Sequence, residues 1–286
     1  MRRLVALVAG LAALASSALA LTPRETWNLP AEPFHVIGDV YYVGMHGLSS
    51  WLIVTPSGDI LIDGDLPESA PFIERHIRQL GFQLKDVKII LNSHAHFDHF
   101  GGIAQIKRDT GATFMASAGD RASLETGTYL GSETVKSLQG PPVKVDRLIG
   151  DGQQVTLGGV ALTAHLTPGH TRGCTTWTMP VAEAGRTYQV MFYCSTTVAA
   201  NRLAPREQYP GIIADYRATF ARLRTMKADV FLAPHAEMFD LWAKRARLGQ
   251  GPNPFVDPTE LQRFVAASAA DFDRQLAAQR AKAGAS

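Results

Sequence analysis

One short stretch of the sequence concentrates side chains that can bind metal ions. Residues 92–102 read Asn-Ser-His-Ala-His-Phe-Asp-His-Phe-Gly-Gly, so three histidines and one aspartate fall close together. His94 and His96 are two residues apart and point to the same side of an extended segment, whereas Asp98 and His99 fall where a helix is predicted to begin. Burying four such groups together would be costly without a compensating cation. Because imidazole and carboxylate are zinc ligands, the stretch predicts a metal site.

Two further histidines occupy comparable positions downstream. His170 follows a predicted strand at a Pro-Gly turn, and His235 follows a predicted buried strand that a proline ends. Ligands at the ends of several strands are what a site at the edge of a sheet requires. A catalytic zinc commonly keeps three protein ligands and one open position for water. Because the stretch around His94 already offers more than three ligands, the sequence predicts two zinc ions.

The other four histidines have no companion at a metal-binding spacing. His76 lies beside charged residues in a predicted helix and is expected to face solvent. His165 lies within a predicted strand and is expected to be structural. His46 lies in a loop between glycines, where a position at the rim of a substrate site is one alternative. His35 receives no functional assignment.

The elements that must position these residues follow a repeated order of strands and then helices. Helices are predicted at 68–80, 101–110, 119–126, 215–226 and 257–281. Strands are predicted at 36–43, 50–54, 59–63, 87–91, 113–116, 153–157, 160–166, 175–179, 189–193 and 230–233. Two sets of strands with helices outside predict an α+β fold, an αββα sandwich of two mixed β-sheets. No linker separates the sets, so residues 21–286 are predicted to form a single domain.

The first twenty residues have the features of an export signal. Arg2 and Arg3 precede an apolar run over residues 4–14, and Ala18-Leu19-Ala20 provides the small residues that signal peptidases require. Residues 1–20 are therefore predicted to be a signal peptide that directs the chain to the periplasm, the alternative being a retained anchor helix. No later segment approaches the roughly 20 apolar residues of a membrane span, so we expect no membrane association after cleavage.

The overall charge is nearly balanced, with 28 basic and 26 acidic residues and no basic patch. We therefore expect no nucleic-acid partner. The only two cysteines are Cys174 and Cys194. If residues 174–179 and 187–194 pair as a hairpin centred on residue 184, the cysteines face each other across it. A cross-strand disulfide and two free buried thiols remain the alternatives.

The arrangement His94-x-His96-x-Asp98-His99, followed by His170 and His235, resembles the metallo-β-lactamase superfamily over nearly all of the predicted mature chain. The resemblance implies the αββα fold. Many hydrolases of this superfamily, including glyoxalase II and lactonases, carry a metal-bridging aspartate on a strand between the last two histidines. Residues 191–197 contain no aspartate.

Within the superfamily, residues 194–201, 47–53 and 253–255 are similar to subclass B3 metallo-β-lactamases, in which a serine takes the place of that aspartate. This resemblance implies that His94, His96 and His170 bind the first zinc. The second zinc would then be bound by Asp98, His99 and His235. One departure is Asp65, where the subclass is expected to have Thr or Gly, and we expect it to affect only the local turn.

The function implied is that of a secreted enzyme that opens the β-lactam ring of antibiotics. A zinc-bound water, with its pKa lowered to roughly 7, would supply the attacking hydroxide, and Asp98 is the candidate catalytic residue that orients it. Ser195 and Thr197 are candidates for binding the substrate carboxylate, and Gln139 for lining the groove. A small-molecule β-lactam is the expected partner, and a monomer is the expected state. The alternatives are a lactone or thioester hydrolase of the same superfamily and a non-catalytic periplasmic zinc-binding protein.

Overall fold

A computed structural model describes residues 21–284, which form two mixed β-sheets flanked by helices. The predicted αββα sandwich is therefore confirmed, whereas the predicted signal peptide lies outside the described residues. The helices are α1 Pro23–Trp27, α2 Ala70–Gln79, α3 Phe97–Phe100, α4 Ile103–Thr110, α5 Arg121–Thr126, α6 Ile212–Thr225, α7 Leu241–Arg247 and α8 Glu260–Gly284.

The first sheet contains seven strands arranged in their sequence order, β1 to β7. Strands β1 to β4 pair antiparallel, and β4 to β7 pair parallel, with helices between them. The strands are β1 Phe34–Ile37, β2 Val40–Tyr42, β3 Trp51–Ile53, β4 Asp59–Ile62, β5 Val87–Leu91, β6 Thr113–Ser117 and β7 Arg147–Ile149.

The second sheet is built from the C-terminal half of the chain, in the order β12-β11-β10-β9-β8. Only the pair β11 and β12 is parallel. The strands are β8 Gln154–Leu157, β9 Val160–Leu166, β10 Thr175–Glu183, β11 Arg186–Phe192 and β12 Val230–Leu232.

Two apolar clusters hold these layers together. The larger lies between the sheets, where Trp51 of the first sheet faces Phe192 of the second with ring centroids 6.1 Å apart. The smaller lies between the first sheet and its helices and includes Ile73 of α2 and Ile103 of α4. Removing this apolar surface from water is the main force that keeps the two sheets packed together.

The structure differs from the predicted elements in one strand that is a hairpin and in three short elements that were not predicted. The single strand predicted at 36–43 is a hairpin of β1 and β2, because the chain reverses at Gly38, whose φ is +50°. The helices α1 and α7 and the strand β7 were not predicted. Each is a short segment of three to seven residues, and so short a segment shows too little periodicity to be recognised.

The two cysteines form a disulfide, with their Cα atoms 5.9 Å apart. The predicted register of the hairpin was nevertheless wrong by one residue, because Trp177 pairs with Phe192. Both cysteines lie just beyond the paired segments, before β10 and after β11. Within residues 21–284, no helix is both long and apolar enough to cross a membrane.

Candidate metal centre

The metal-binding stretch leaves the first sheet at the end of β5, and α3 follows it directly. His96 precedes α3 in extended backbone, and Asp98 and His99 lie within the helix. A Cβ atom on Gly102 would overlap the backbone oxygen of Gly64, so only glycine lets this segment pack against the turn after β4. The packing holds the four predicted ligands at the edge of the sheet.

The remaining two predicted ligands come from the second sheet. His170 lies in the loop after β9, and His235 follows β12. The structure brings all six residues together in two groups, in each of which the potential ligand atoms lie within 4.8 Å of one another. We call His94, His96 and His170 the first trio, and Asp98, His99 and His235 the second trio.

The two trios are adjacent. In the first trio, the Nε2 atoms of His94 and His170 are 3.1 Å apart. In the second, Asp98 Oδ2 lies 3.4 Å from His99 Nε2 and 3.5 Å from His235 Nε2. The rings of His94 and His99 join the two groups, with centroids 4.2 Å apart. The geometry thus offers two neighbouring sets of three ligands.

Burial keeps four of the histidines neutral. It lowers the pKa of His94 and His96 well below the ordinary range, and the pKa of His170 to about 4. The pKa of His235 falls to about 3 for the same reason, and repulsion from the charge of His99 adds to the effect. A neutral imidazole presents a lone pair, which is the form that binds a metal ion.

Asp98 and His99 behave differently because they carry opposite charges. Burial by itself raises the pKa of Asp98, but the positive charge of His99 and its hydrogen bond to the carboxylate lower the pKa overall. Burial likewise opposes protonation of His99, but Asp98, together with Asp63 and Asp65, raises its pKa. Without a metal ion, a proton on His99 therefore balances the carboxylate.

The hydrogen bonds behind the first trio fix its tautomers. The Ser93 hydroxyl donates to Asp63 Oδ2 at 2.5 Å, so it accepts from Nδ1–H of His94 at 2.9 Å. His170 Nδ1–H donates to the backbone oxygen of Thr197 at 2.7 Å. In both residues the Nε2 lone pair then faces the centre of the trio. Such partners orient metal-binding imidazoles, so the residues present fit zinc.

Two of the three predicted substrate residues, Ser195 and Thr197, lie beside this centre. Ser195 is buried and its hydroxyl is 3.2 Å from the hydroxyl of Thr197, which is itself 3.2 Å from His170 Nδ1. Gln139 is half-buried, and its side-chain amide donates to the backbone oxygen of Glu133. A Cβ atom on the next residue, Gly140, would lie 3.0 Å from the ring of Phe100. Their contact with substrate stays a prediction.

Helix α1 was not predicted and lies across one side of the centre, although Thr22 and Glu25 form a capping box that could have marked its start. Trp27 packs edge-on against His235 with ring centroids 5.2 Å apart. Arg24 lies over the ring of Phe97 and forms an ion pair with Glu68. Trp27 also lines a groove of about 670 Å³ that continues to Trp242. Because α1 has only five residues, no periodic pattern could have revealed it.

The other histidines are outside both trios. His76 is buried and its Nδ1 bonds the backbone oxygen of Val43, so the prediction that it faces solvent was wrong. His165 bonds the hydroxyl of Thr178 across the sheet, as expected of a structural residue. His46 stacks on Trp242 in the wall of the groove.

Comparison with known proteins now adds to this geometry. A family model for the metallo-β-lactamase superfamily matches residues 44–184. The chain is 47% identical to BJP-1, a subclass B3 metallo-β-lactamase of Bradyrhizobium japonicum. That match covers 90% of this chain and 98% of BJP-1, with a TM-score of 0.88. The chain belongs to the metallo-β-lactamase superfamily.

Other superfamily relatives agree with this assignment. FEZ-1 from Legionella gormanii is 43% identical over 88% of this chain and 98% of its own, with a TM-score of 0.85. Among curated proteins, a hydroxyacylglutathione hydrolase of Rhodopseudomonas palustris is 29% identical over 42% of this chain. The chain spans 39% of that relative and 41% of a metal-dependent hydrolase from Rubrobacter xylanophilus, which is 30% identical over 41% of this chain. In contrast, the structural neighbours of the chain are subclass B3 metallo-β-lactamases, and the matches cover almost the whole length of those proteins.

Proposed function

We propose that the chain is a dizinc β-lactamase that opens the four-membered ring of β-lactam antibiotics. The observation that carries the proposal is the pair of adjacent trios, one of three imidazoles and one of a carboxylate and two imidazoles. Each offers three ligands, which leaves a position open for water or substrate, whereas structural zinc is usually closed by four protein ligands. This difference favours an enzyme over a protein that only binds zinc.

Zinc held by the two trios would supply Lewis acidity, lowering the pKa of a water and polarising the lactam carbonyl. The protein's own contribution is to position this chemistry. The carboxylate of Asp98 lies within the second trio, where it can accept a hydrogen bond from the attacking water. His94 and His170 are held by their Nδ1 hydrogen bonds, so their Nε2 atoms need little reorganisation.

The substrate proposal rests on Ser195 and Thr197. Their hydroxyls lie side by side next to His170, on the segment that leaves β11. Hydroxyl donors at this position would bind the carboxylate of a β-lactam and direct its carbonyl toward the trios. We also propose that Gln139 lines a substrate groove beside the trios, because a Cβ atom on the next residue, Gly140, would meet Phe100 of the helix that carries Asp98.

A second candidate is a lactone or thioester hydrolase of the same superfamily. The curated relatives named hydroxyacylglutathione hydrolase favour it. Against it, the segment at residues 191–197 offers Ser195, and no aspartate, beside the trios. The export signal inferred at residues 1–20 also favours a periplasmic β-lactamase, because antibiotics are met outside the cytoplasm.

One experiment separates these functions. The purified mature protein would be assayed on a chromogenic cephalosporin, a homoserine lactone and S-lactoylglutathione, each with and without a zinc chelator. We expect turnover of the cephalosporin alone, abolished by the chelator and restored by added zinc. Turnover confined to the lactone or the thioester would replace the proposal with the second candidate. Binding of zinc without turnover of any substrate would identify a zinc-binding protein.

A further inference from the structure

A buried carboxylate outside both trios contacts the two loops that supply the first trio. Asp120 follows β6 and immediately precedes α5, and only 3% of its surface is exposed. Its Oδ2 atom accepts from the backbone N–H of Ala95 at 2.9 Å and from the hydroxyl of Thr171 at 2.8 Å. Its Oδ1 atom accepts from the backbone N–H of Gly173 at 2.8 Å.

Two of the three donors adjoin candidate ligands in the sequence. Ala95 lies between His94 and His96, and Thr171 directly follows His170. One carboxylate thus connects the loop after β5, in the first sheet, to the loop after β9, in the second. All three residues of the first trio are carried by these two loops, whereas no residue of the second trio adjoins a donor to Asp120.

We propose that Asp120 is a positioning residue that holds the first trio in its metal-binding arrangement. The inference rests on the proposed zinc-binding function and assigns one residue that sets the affinity of the first trio. Asp120 is not among the grouped ligand atoms of the first trio, and its three hydrogen bonds reach it through the backbone and Thr171.

The chemistry of the site requires a carboxylate. All three contacts are donated to Asp120, and only an ionised carboxylate can accept from all of them. An amide in its place would direct its NH₂ group at the N–H of either Ala95 or Gly173, leaving a buried donor without an acceptor. Burial raises the pKa of Asp120 to about 6, and the three hydrogen bonds oppose that rise. The fold therefore retains a buried charge at neutral pH.

The packing around Asp120 shows how closely the second loop is seated on it. A Cβ atom on Gly173 would overlap both the Asp120 backbone and the hydroxyl of Ser117. That hydroxyl donates to the backbone oxygen of Gly173 at 2.6 Å. Among residues 21–284, the Ser117 side chain supports the same loop but forms no hydrogen bond with the loop of His94, which makes it a matched control.

A separate set of contacts limits the expected effect. Tyr129 stacks on the ring of His96 with centroids 4.3 Å apart, and its hydroxyl donates to Asn201 Oδ1 at 2.9 Å. Asn201 in turn donates to the backbone oxygen of His170 at 2.8 Å. Because this connection survives without Asp120, loss of the carboxylate should loosen the first trio without dispersing it. We expect a loss of about 10- to 100-fold in zinc affinity, as for other groups that orient metal ligands.

The test isolates each trio. In a His235→Ala background only the first trio is complete, and in a His94→Ala background only the second. Zinc affinity would be measured by competition with a chromophoric chelator, with Asp120→Asn added to each background. We expect the loss in the His235→Ala background and a change of less than about threefold in the His94→Ala background. Ser117→Ala should leave both affinities unchanged, and the visible spectrum of bound Co²⁺ should change only with Asp120→Asn.

A milder pair of variants keeps the test decisive if Asp120→Asn fails to fold. In the His235→Ala background, Thr171→Val removes one of the three hydrogen bonds and Thr171→Ser retains it. We expect Thr171→Val to weaken zinc binding severalfold and Thr171→Ser to restore it. Equal losses from both trios, or unchanged affinity in folded Asp120→Asn and Thr171→Val, would overturn the proposal. Absence of zinc binding by the His235→Ala protein itself would instead count against the proposed metal-binding function.

Discussion

The first and second trios contain the same number of candidate ligands, but the protein supports them differently. In the first, His94 and His170 each have an Nδ1 hydrogen bond that turns Nε2 toward the centre. In the second, the Nδ1 atoms of His99 and His235 are buried and have no hydrogen-bond partner among residues 21–284. The number of ligands in a site therefore does not determine how well they are oriented.

The two trios also differ in charge. The histidines of the first trio have lowered pKa values and are neutral at pH 7. In the second trio, the carboxylate of Asp98 raises the pKa of His99. Zinc entering the second trio must displace a proton, whereas zinc entering the first finds neutral imidazoles. We infer that the first trio is closer than the second to the protonation state that binds zinc.

Removal of a ligand from the second trio should reduce activity more than any other change considered below. Asp98→Ala or His235→Ala should lower kcat/KM for a cephalosporin by more than about 100-fold, because loss of a ligand exceeds loss of an orienting group. Zinc content should fall toward one ion per chain, measured by metal analysis. His165→Ala, which alters a half-buried structural histidine outside both trios, is the matched control. Wild-type turnover and zinc content in either variant would contradict the two-metal assignment.

A second prediction concerns the stability of the metal-free protein in acid. The folded-state pKa of His170 is about 4 and that of His235 about 3, below the unfolded value of about 6.5. The unfolded chain therefore binds more protons between these values, and stability is lost as the pH falls through this window. Each such histidine should cost about 2 kcal/mol between pH 7 and pH 5.

Urea unfolding of the metal-free protein at several pH values measures this cost. His170→Gln should flatten the acid limb by about one proton. His99 has a raised pKa, so its contribution is constant below pH 6.5 and is lost only as the pH rises through its folded value. An acid limb that is unchanged in His170→Gln would show that the ring is already protonated in the fold.

A third prediction concerns the relative zinc affinities of the two trios. Two Nδ1 atoms of the second trio have no hydrogen-bond partner among residues 21–284. The second trio should therefore bind zinc about tenfold more weakly than the first. Graded addition of a chelator should then produce a one-zinc protein before the metal-free protein. Titration of the His235→Ala and His94→Ala variants assigns the two affinities. A tighter second trio would reverse our interpretation of the hydrogen bonds.

The smallest effect is expected at Asp65. This carboxylate is buried, its pKa is raised to about 7 by burial, and its negative charge contributes to the raised pKa of His99. Asp65→Asn should change zinc affinity of the second trio by less than about tenfold and leave the first unchanged. Chelator competition in the His94→Ala background measures it. An equal change in both trios would show that Asp65 acts through the fold and not through its charge.

Much of the fold was predictable because local patterns agreed with tertiary structure. Strands β5 and β9 match their predicted bounds, and the two-sheet sandwich follows from the order of the elements. The hairpin of β10 and β11 was placed one residue out of register. Its turn lies at Ala184 and Gly185, both with positive φ, and the cysteines lie beyond its paired part, so their facing one another did not define the register.

Residue types and spacing alone were enough to predict the six side chains that the structure groups as candidate metal ligands. They did not reveal Asp120 or Trp27, each an ordinary residue in an unremarkable segment. Only tertiary structure decided their roles, because hydrogen bonds and ring contacts between segments distant in sequence depend on how the sheets pack. For the same reason, only the folded chain distinguishes a trio with two Nδ1 hydrogen bonds from one whose two Nδ1 atoms have no hydrogen-bond partner among residues 21–284.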